Sequence, residues 1–81
     1  MNLGELIKMT RQKSLCTQEE FANMLHVSLS TVNRWELNKT KPNIKAMKLI
    51  KCFCEERQLP FEMIEKAWLK NCEENKNAKN M

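Results

Sequence analysis

The side chains of this chain that could do chemistry are four cysteines, one histidine, ten carboxylates and fourteen lysines or arginines. Cys16, Cys52, Cys54 and Cys72 invite a metal or disulfide reading. A zinc site usually shows a C-x2-C or C-x2–4-C knuckle with a second matching pair, whereas the close pair here is C-x-C in a helical pattern, where the two side chains diverge. No metal site is expected, and the thiols should be free, as in a reducing compartment. His26 has no carboxylate or cysteine at ligand or relay spacing beside it, so a turn role outweighs a catalytic one. A chain with one glycine has no Gly-rich phosphate loop, no Ser–His–carboxylate or Cys–His pair stands out, and the carboxylates are glutamates at helical surface spacing. Neither catalysis nor a cofactor is expected.

The basic side chains are distributed unevenly. Residues 1–51 carry nine Lys or Arg against four Glu, or +5, and residues 52–81 carry five against six, or −1. A positive face is what phosphate binding requires, because affinity for duplex nucleic acid comes largely from counterion release. On charge alone, a lysine-rich solvated surface is an equally good reading.

The basic part contains the stretch around which the chain is organised, TQEEFANMLHVSLSTVNRWELNKTKP, from Thr17 to Pro42. Thr17 with Glu20 forms a capping box, and Phe21, Ala22 and Leu25 line one helical face behind it. After His26-Val27, Ser28 can cap again, and Leu29, Val32, Trp35 and Glu36 form a second periodic run. Helix, short turn, helix is the form in which the second helix enters the DNA major groove while the first crosses the phosphate backbone.

At these residues the chain resembles the phage Cro and lambda-repressor-like (Xre-type) helix-turn-helix family. The matching features are TQEEFA, Leu25 and Val27 around the turn, the run VSLSTVNRWE and the loop NKTKP, and the likeness extends over residues 3 to about 54. It implies sequence-specific binding of double-stranded DNA by a small transcriptional regulator, a repressor, reading the major groove with helix 29–37. Gln18 would then clamp a phosphate and brace a side chain of that helix. Leu29, Ser30, Asn33 and Arg34 would face the groove, while Thr31 and the loop of Lys39, Thr40 and Lys41 would hold the backbone. Arginine pairs bidentately with guanine and asparagine with adenine; Leu29 either contacts a thymine methyl or goes unused. The resemblance also implies that Arg11 pairs with Glu36, a fork that would tie the recognition helix to the first helix at a fixed angle. Relatives carry glycine where this chain has His26 and Asn38, both of which tolerate a left-handed turn. The alternative reading is an antitoxin or protein-interaction adaptor on the same fold, with a toxin or other protein as partner. An RNA-binding role lacks the aromatic platform expected for single strands.

The remaining elements must support that stretch. Asn2 to Lys13 reads as a first helix with Leu3, Leu6 and Ile7 on one face, weakened by Gly4. Leu15 is expected as an apolar anchor before the Thr17 cap. Pro42 ends the recognition loop, and Asn43 caps a helix from Ile44 to about Glu56 with Ala46, Met47, Leu49, Ile50 and Phe53 in the core. Pro60 is placed at the first position of a fifth helix, with Phe61, Ile64 and Trp68 on its core face. Met63, Ala67 and Leu69 are then surplus apolar surface, which points to a homodimer, at least on DNA.

Eighty-one residues with one glycine, two prolines and no tyrosine suit helices and short loops, and a chain of this size has room for one core. The expected fold is all-α, a five-helix lambda-repressor-like domain over residues 1–72 with a polar tail at 73–81. No continuous apolar run opens the chain and none approaches transmembrane length. The expected location is cytoplasmic, with no membrane partner.

Overall fold

Four helices begin where a short polar side chain can accept an amide of the first turn, one of the donors a helix cannot satisfy internally. Asn2 accepts from Glu5 at 2.9 Å, Thr17 from Glu20 at 3.1 Å, Ser28 from Thr31 at 3.1 Å and Asn43 from Ala46 at 2.8 Å. In the computed structural model, which describes residues 1–70, these caps open α1 (Leu3–Lys13), α2 (Gln18–Met24), α3 (Leu29–Glu36) and α4 (Ile44–Glu56), and α5 covers residues 62–70. No strand occurs among the described residues, in agreement with the all-helical, five-helix expectation. Cys72 and the stretch 73–81 lie outside the described residues.

The same four helices end alike. Leu15, His26, Asn38 and Gln58 adopt left-handed φ values of 56 to 59°. The amide one residue later reaches back to a helical carbonyl each time: Cys16 to Arg11, Val27 to Ala22, Lys39 to Arg34 and Leu59 to Cys54, at 2.8 to 3.2 Å. These are Schellman caps, a motif that usually places glycine at the left-handed position. None of the four is glycine, and the conformation costs roughly 1–2 kcal/mol at Leu15 and Gln58 and less at His26 and Asn38. The glycine substitutes His26 and Asn38 thus keep the left-handed turns.

Leu15 does not anchor Thr17. It is 91% exposed, because the left-handed cap turns its side chain outward while Cys16, half-buried, packs against the core. Pro60 likewise stands two residues before α5 rather than at its first position, and the Glu65 amide bonds the Phe61 carbonyl at 3.0 Å. α3 ends at Glu36, with Leu37 as its cap.

The core is built from the faces that periodicity marks. Ile7 of α1, Phe21 of α2, Val32 of α3 and Ile50 of α4 are fully buried, and Phe21 meets Phe53 edge to face at 5.0 Å between ring centroids. Ile64 brings α5 onto this same core. Cys54, unassigned from sequence, is buried among these residues, and its burial pushes the thiol pKa up. Leu49 and Ala67 are only half-buried but pack against the core, so Ala67 is not surplus surface. Among the described residues no helix is long and apolar enough to cross a membrane.

Candidate nucleic-acid interface

α3 is held from behind by an ion pair with little water access. Arg11 Nε donates to Glu36 Oε2 at 2.7 Å and Nη2 to Oε1 at 3.1 Å, with side-chain exposures of 11% and 4%. The third guanidinium nitrogen, Nη1, donates to the Cys16 carbonyl at 2.9 Å, so one side chain joins α1, the α1–α2 turn and α3. Hydrogen bonding to Glu36 holds the Arg11 pKa above its ordinary value, with burial opposing that rise. Gln18 Nε2 adds a bond to Glu36 Oε1 at 3.0 Å. Both carboxylate oxygens are thereby satisfied, the condition under which a buried charge is tolerable.

The side of α3 away from buried Val32 and Trp35 is left open. Leu29, Ser30, Asn33 and Arg34 are all exposed, and they lie at the helical offsets that share a side of the helix. Leu29 keeps 48% of its surface in water. Gln18 Nε2 also lies 3.4 Å from Asn33 Oδ1, a long bond that braces the asparagine from its α2 side. An amide oxygen accepts two bonds and the amide nitrogen donates two, so Asn33 retains capacity for a ligand. Thr31 is half-buried, its hydroxyl 2.8 Å from that of Ser28 at the N-terminus of α3.

The loop after α3 flanks that face. Lys39 and Thr40 are exposed, whereas Lys41 is half-buried with Nζ 6.0 Å from the Trp68 ring centroid. Between loop and helix runs an open cleft of about 400 Å³, lined by Val27, Thr31, Arg34, Thr40, Lys41 and Asn43 among others. Its hydroxyls, amide and two cations are the donor types that hold phosphate. The structure thus joins Gln18 to both Asn33 and the Arg11-bound Glu36, sets Thr31, Arg34, Thr40 and Lys41 around one cleft, and leaves Leu29, Ser30 and Lys39 apart from both groups. Among the described residues no group of three or more His, Cys, Asp or Glu could hold a metal ion, and Cys16, Cys52 and Cys54 are free.

Three residues that position this face were read differently from sequence, Trp68 as core, Asn38 as a turn residue and Gly4 as a weak point of α1. Trp68 bonds the Pro42 carbonyl from α5, and Asn38 accepts a hydrogen bond from the Gly4 amide of α1. The lone glycine inside a helical pattern was the available signal for the second pair, since a glycine costs a helix stability and so invites a packing reason.

Comparison with known proteins agrees with this geometry. A helix-turn-helix family model matches residues 7–54, more than half of the chain. The HTH-type transcriptional activator BcrR of Enterococcus faecalis is 34% identical over 53 residues, which are 65% of this chain and 26% of that protein. The chain therefore spans about a quarter of that relative's length. No solved structure matches the chain significantly. With its two capped helices joined by a left-handed turn, its buried fork behind α3 and its match over residues 7–54, the chain belongs to the Xre/lambda-repressor-like helix-turn-helix family, a family of DNA-binding regulators.

Proposed function

We propose that the protein is a sequence-specific, double-stranded DNA-binding transcription regulator of the cytoplasm, and that α3 reads the major groove. The observation that carries this reading is the two-sidedness of α3: Val32 and Trp35 are buried on one side, Glu36 is locked to Arg11 and Gln18 at the edge, and Ser30, Asn33 and Arg34 are exposed on the other. Arg34 and Asn33 are the base readers, Leu29 and Ser30 line the groove, and Gln18, Thr31, Lys39, Thr40 and Lys41 hold the backbone. Residues 1–72 act as one unit and bind as a homodimer, two recognition helices standing about one DNA turn, roughly 34 Å, apart. The output is repression, because occupying a promoter needs no surface beyond the DNA-contacting one. The Enterococcus relative is named as an activator, so the sign of the output is part of the test.

The test is enrichment of duplexes from a random pool, followed by binding of variants. Arg34→Ala should cost about 1–3 kcal/mol on the enriched duplex and relax the preference at one base pair. Lys39→Ala should weaken all duplexes alike and lower the salt slope by about one unit. Equal losses for both variants on enriched and scrambled duplexes would sink the assignment. A reporter driven by a promoter carrying the enriched site then reads repression or activation directly.

A further inference from the structure

The C-terminal end of α3 approaches the start of α1 more closely than side chains normally allow, and the only glycine of the chain stands at the contact. A Cβ at Gly4 would lie 2.6 Å from the Trp35 carbonyl oxygen, 2.7 Å from that of Glu36 and 2.8 Å from Asn38 Nδ2. Two of these atoms are backbone and cannot swing aside as the end of a flexible side chain can. The contact also has a favourable electrostatic sense, because the positive end of the α1 dipole faces the negative end of that of α3.

Asn38 completes the junction. The Gly4 amide belongs to the first turn of α1, where amides lack an intrahelical acceptor, and it donates to Asn38 Oδ1 at 2.9 Å. Asn38 itself holds φ at 59°, a conformation that glycine adopts without strain. A glycine there would relax the backbone and remove the side-chain oxygen that accepts from the Gly4 amide. Asparagine, tolerant of the left-handed region through its short polar side chain, does both jobs at once.

We propose that Gly4 and Asn38 are positioning residues for DNA reading, setting how deeply the C-terminal end of α3 seats on α1 and hence the angle at which Ser30, Asn33 and Arg34 are presented. This rests on the reading of α3 as the groove-entering helix. The Arg11 fork holds α3 from one direction, and the Gly4 contact sets its distance. Restoring ordinary contact with an alanine methyl moves the Trp35 carbonyl from 2.6 Å to at least 3.4 Å, a displacement of 0.8 Å. Base-edge hydrogen bonds are satisfied only over about half an ångström of donor–acceptor distance, so the readers lose register while phosphate contacts through the flexible lysines adjust.

The experiment uses a duplex enriched from a random pool by the wild-type protein, and a scrambled duplex of the same length. Affinities of wild type, Gly4→Ala, Asn38→Gly and the double variant are measured on both across a salt series, with thermal unfolding in parallel. Each single variant should lose about tenfold or more on the enriched duplex, the equivalent of one good base contact, and stay within about twofold on the scrambled one. The salt slope should not change, because no phosphate contact is removed. The double variant should lose less than the product of the single losses, since both act on one junction. Asn38→Gly relieves its own backbone and should unfold no lower than wild type, so it carries the test if Gly4→Ala fails to fold. Wild-type affinity for Asn38→Gly, equal losses on both duplexes, or a slope lowered by about one unit, which would make Asn38 a phosphate ligand, each overturn the proposal. If the wild-type protein enriches no duplex at all, the reading of α3 falls and this inference falls with it.

Discussion

Trp68 donates its indole N–H to the Pro42 carbonyl at 2.6 Å, so the last described helix holds the loop that leaves α3. The Lys41 ammonium sits over the same ring at 6.0 Å, which places a cation of the basic loop against α5 as well. Fold and interface are therefore continuous through one aromatic side chain. Trp68→Phe keeps the ring and removes the donor. It should lower stability by about 1 kcal/mol and weaken enriched and scrambled duplexes together, because it loosens the loop proposed to hold phosphate rather than a proposed base reader. Urea unfolding and fluorescence anisotropy read the two effects, and an unchanged affinity would mean that the loop holds itself.

Arg11→Ala leaves the Glu36 carboxylate 4% exposed with its charge-matched partner gone. Breaking a buried pair in this way costs about 3–5 kcal/mol, a large part of the roughly 5–15 kcal/mol available to a domain. Arg11→Lys retains charge but not the fork and should fall between. A double-mutant cycle with Glu36→Gln in urea reads the coupling, and strictly additive losses would mean the two side chains act separately. Because the pKa of Arg11 is raised, its contribution is fully present below the unfolded value and lost only as pH rises through the folded one. No loss should therefore come from Arg11 in the neutral or mildly alkaline range.

Leu15 is 91% exposed at φ 58°, so it bears left-handed strain without a packing return. Leu15→Gly should stabilise the protein by about 1 kcal/mol, the strain it removes being partly offset by the greater freedom of glycine in the unfolded chain. A melting temperature that falls instead would show that Leu15 makes contacts its exposure does not suggest.

The dimer proposal narrows once α5 is placed. Met63 and Leu69 are both exposed, but six residues on a helix put them about 120° apart around the axis, so they do not form one stripe. Leu69 instead borders an apolar cleft of about 220 Å³ between α4 and α5, lined also by Ile44, Met47, Phe61 and Trp68. Ile44 is 64% exposed at its edge. In sedimentation at micromolar concentration, Leu69→Glu should dissociate the dimer and Met63→Glu should leave it largely intact. Dissociation by Met63→Glu alone would move the interface to the other side of α5.

Elements were legible wherever local chemistry decides them. Asn43 and the apolar spacing behind it mark α4 from Ile44 to Glu56, because a cap and a 3.6-residue period are properties of a few neighbouring residues. The two capped helices around His26 are written in the chain in the same way, and so is the imbalance of charge. What only the tertiary structure decided are relations between residues far apart in sequence. The Leu15 side chain could face the core or water until the left-handed cap chose water. Gly4 reads locally as a weakness in α1, and only the arrival of the Trp35 and Glu36 carbonyls against it gives it a purpose. Trp68 has the spacing of a core residue, and its bond to Pro42, 26 positions earlier, depends on how α5 closes over α4. Local sequence sets which backbone conformations are cheap, whereas the distance between two helices is settled by every side chain packed between them at once.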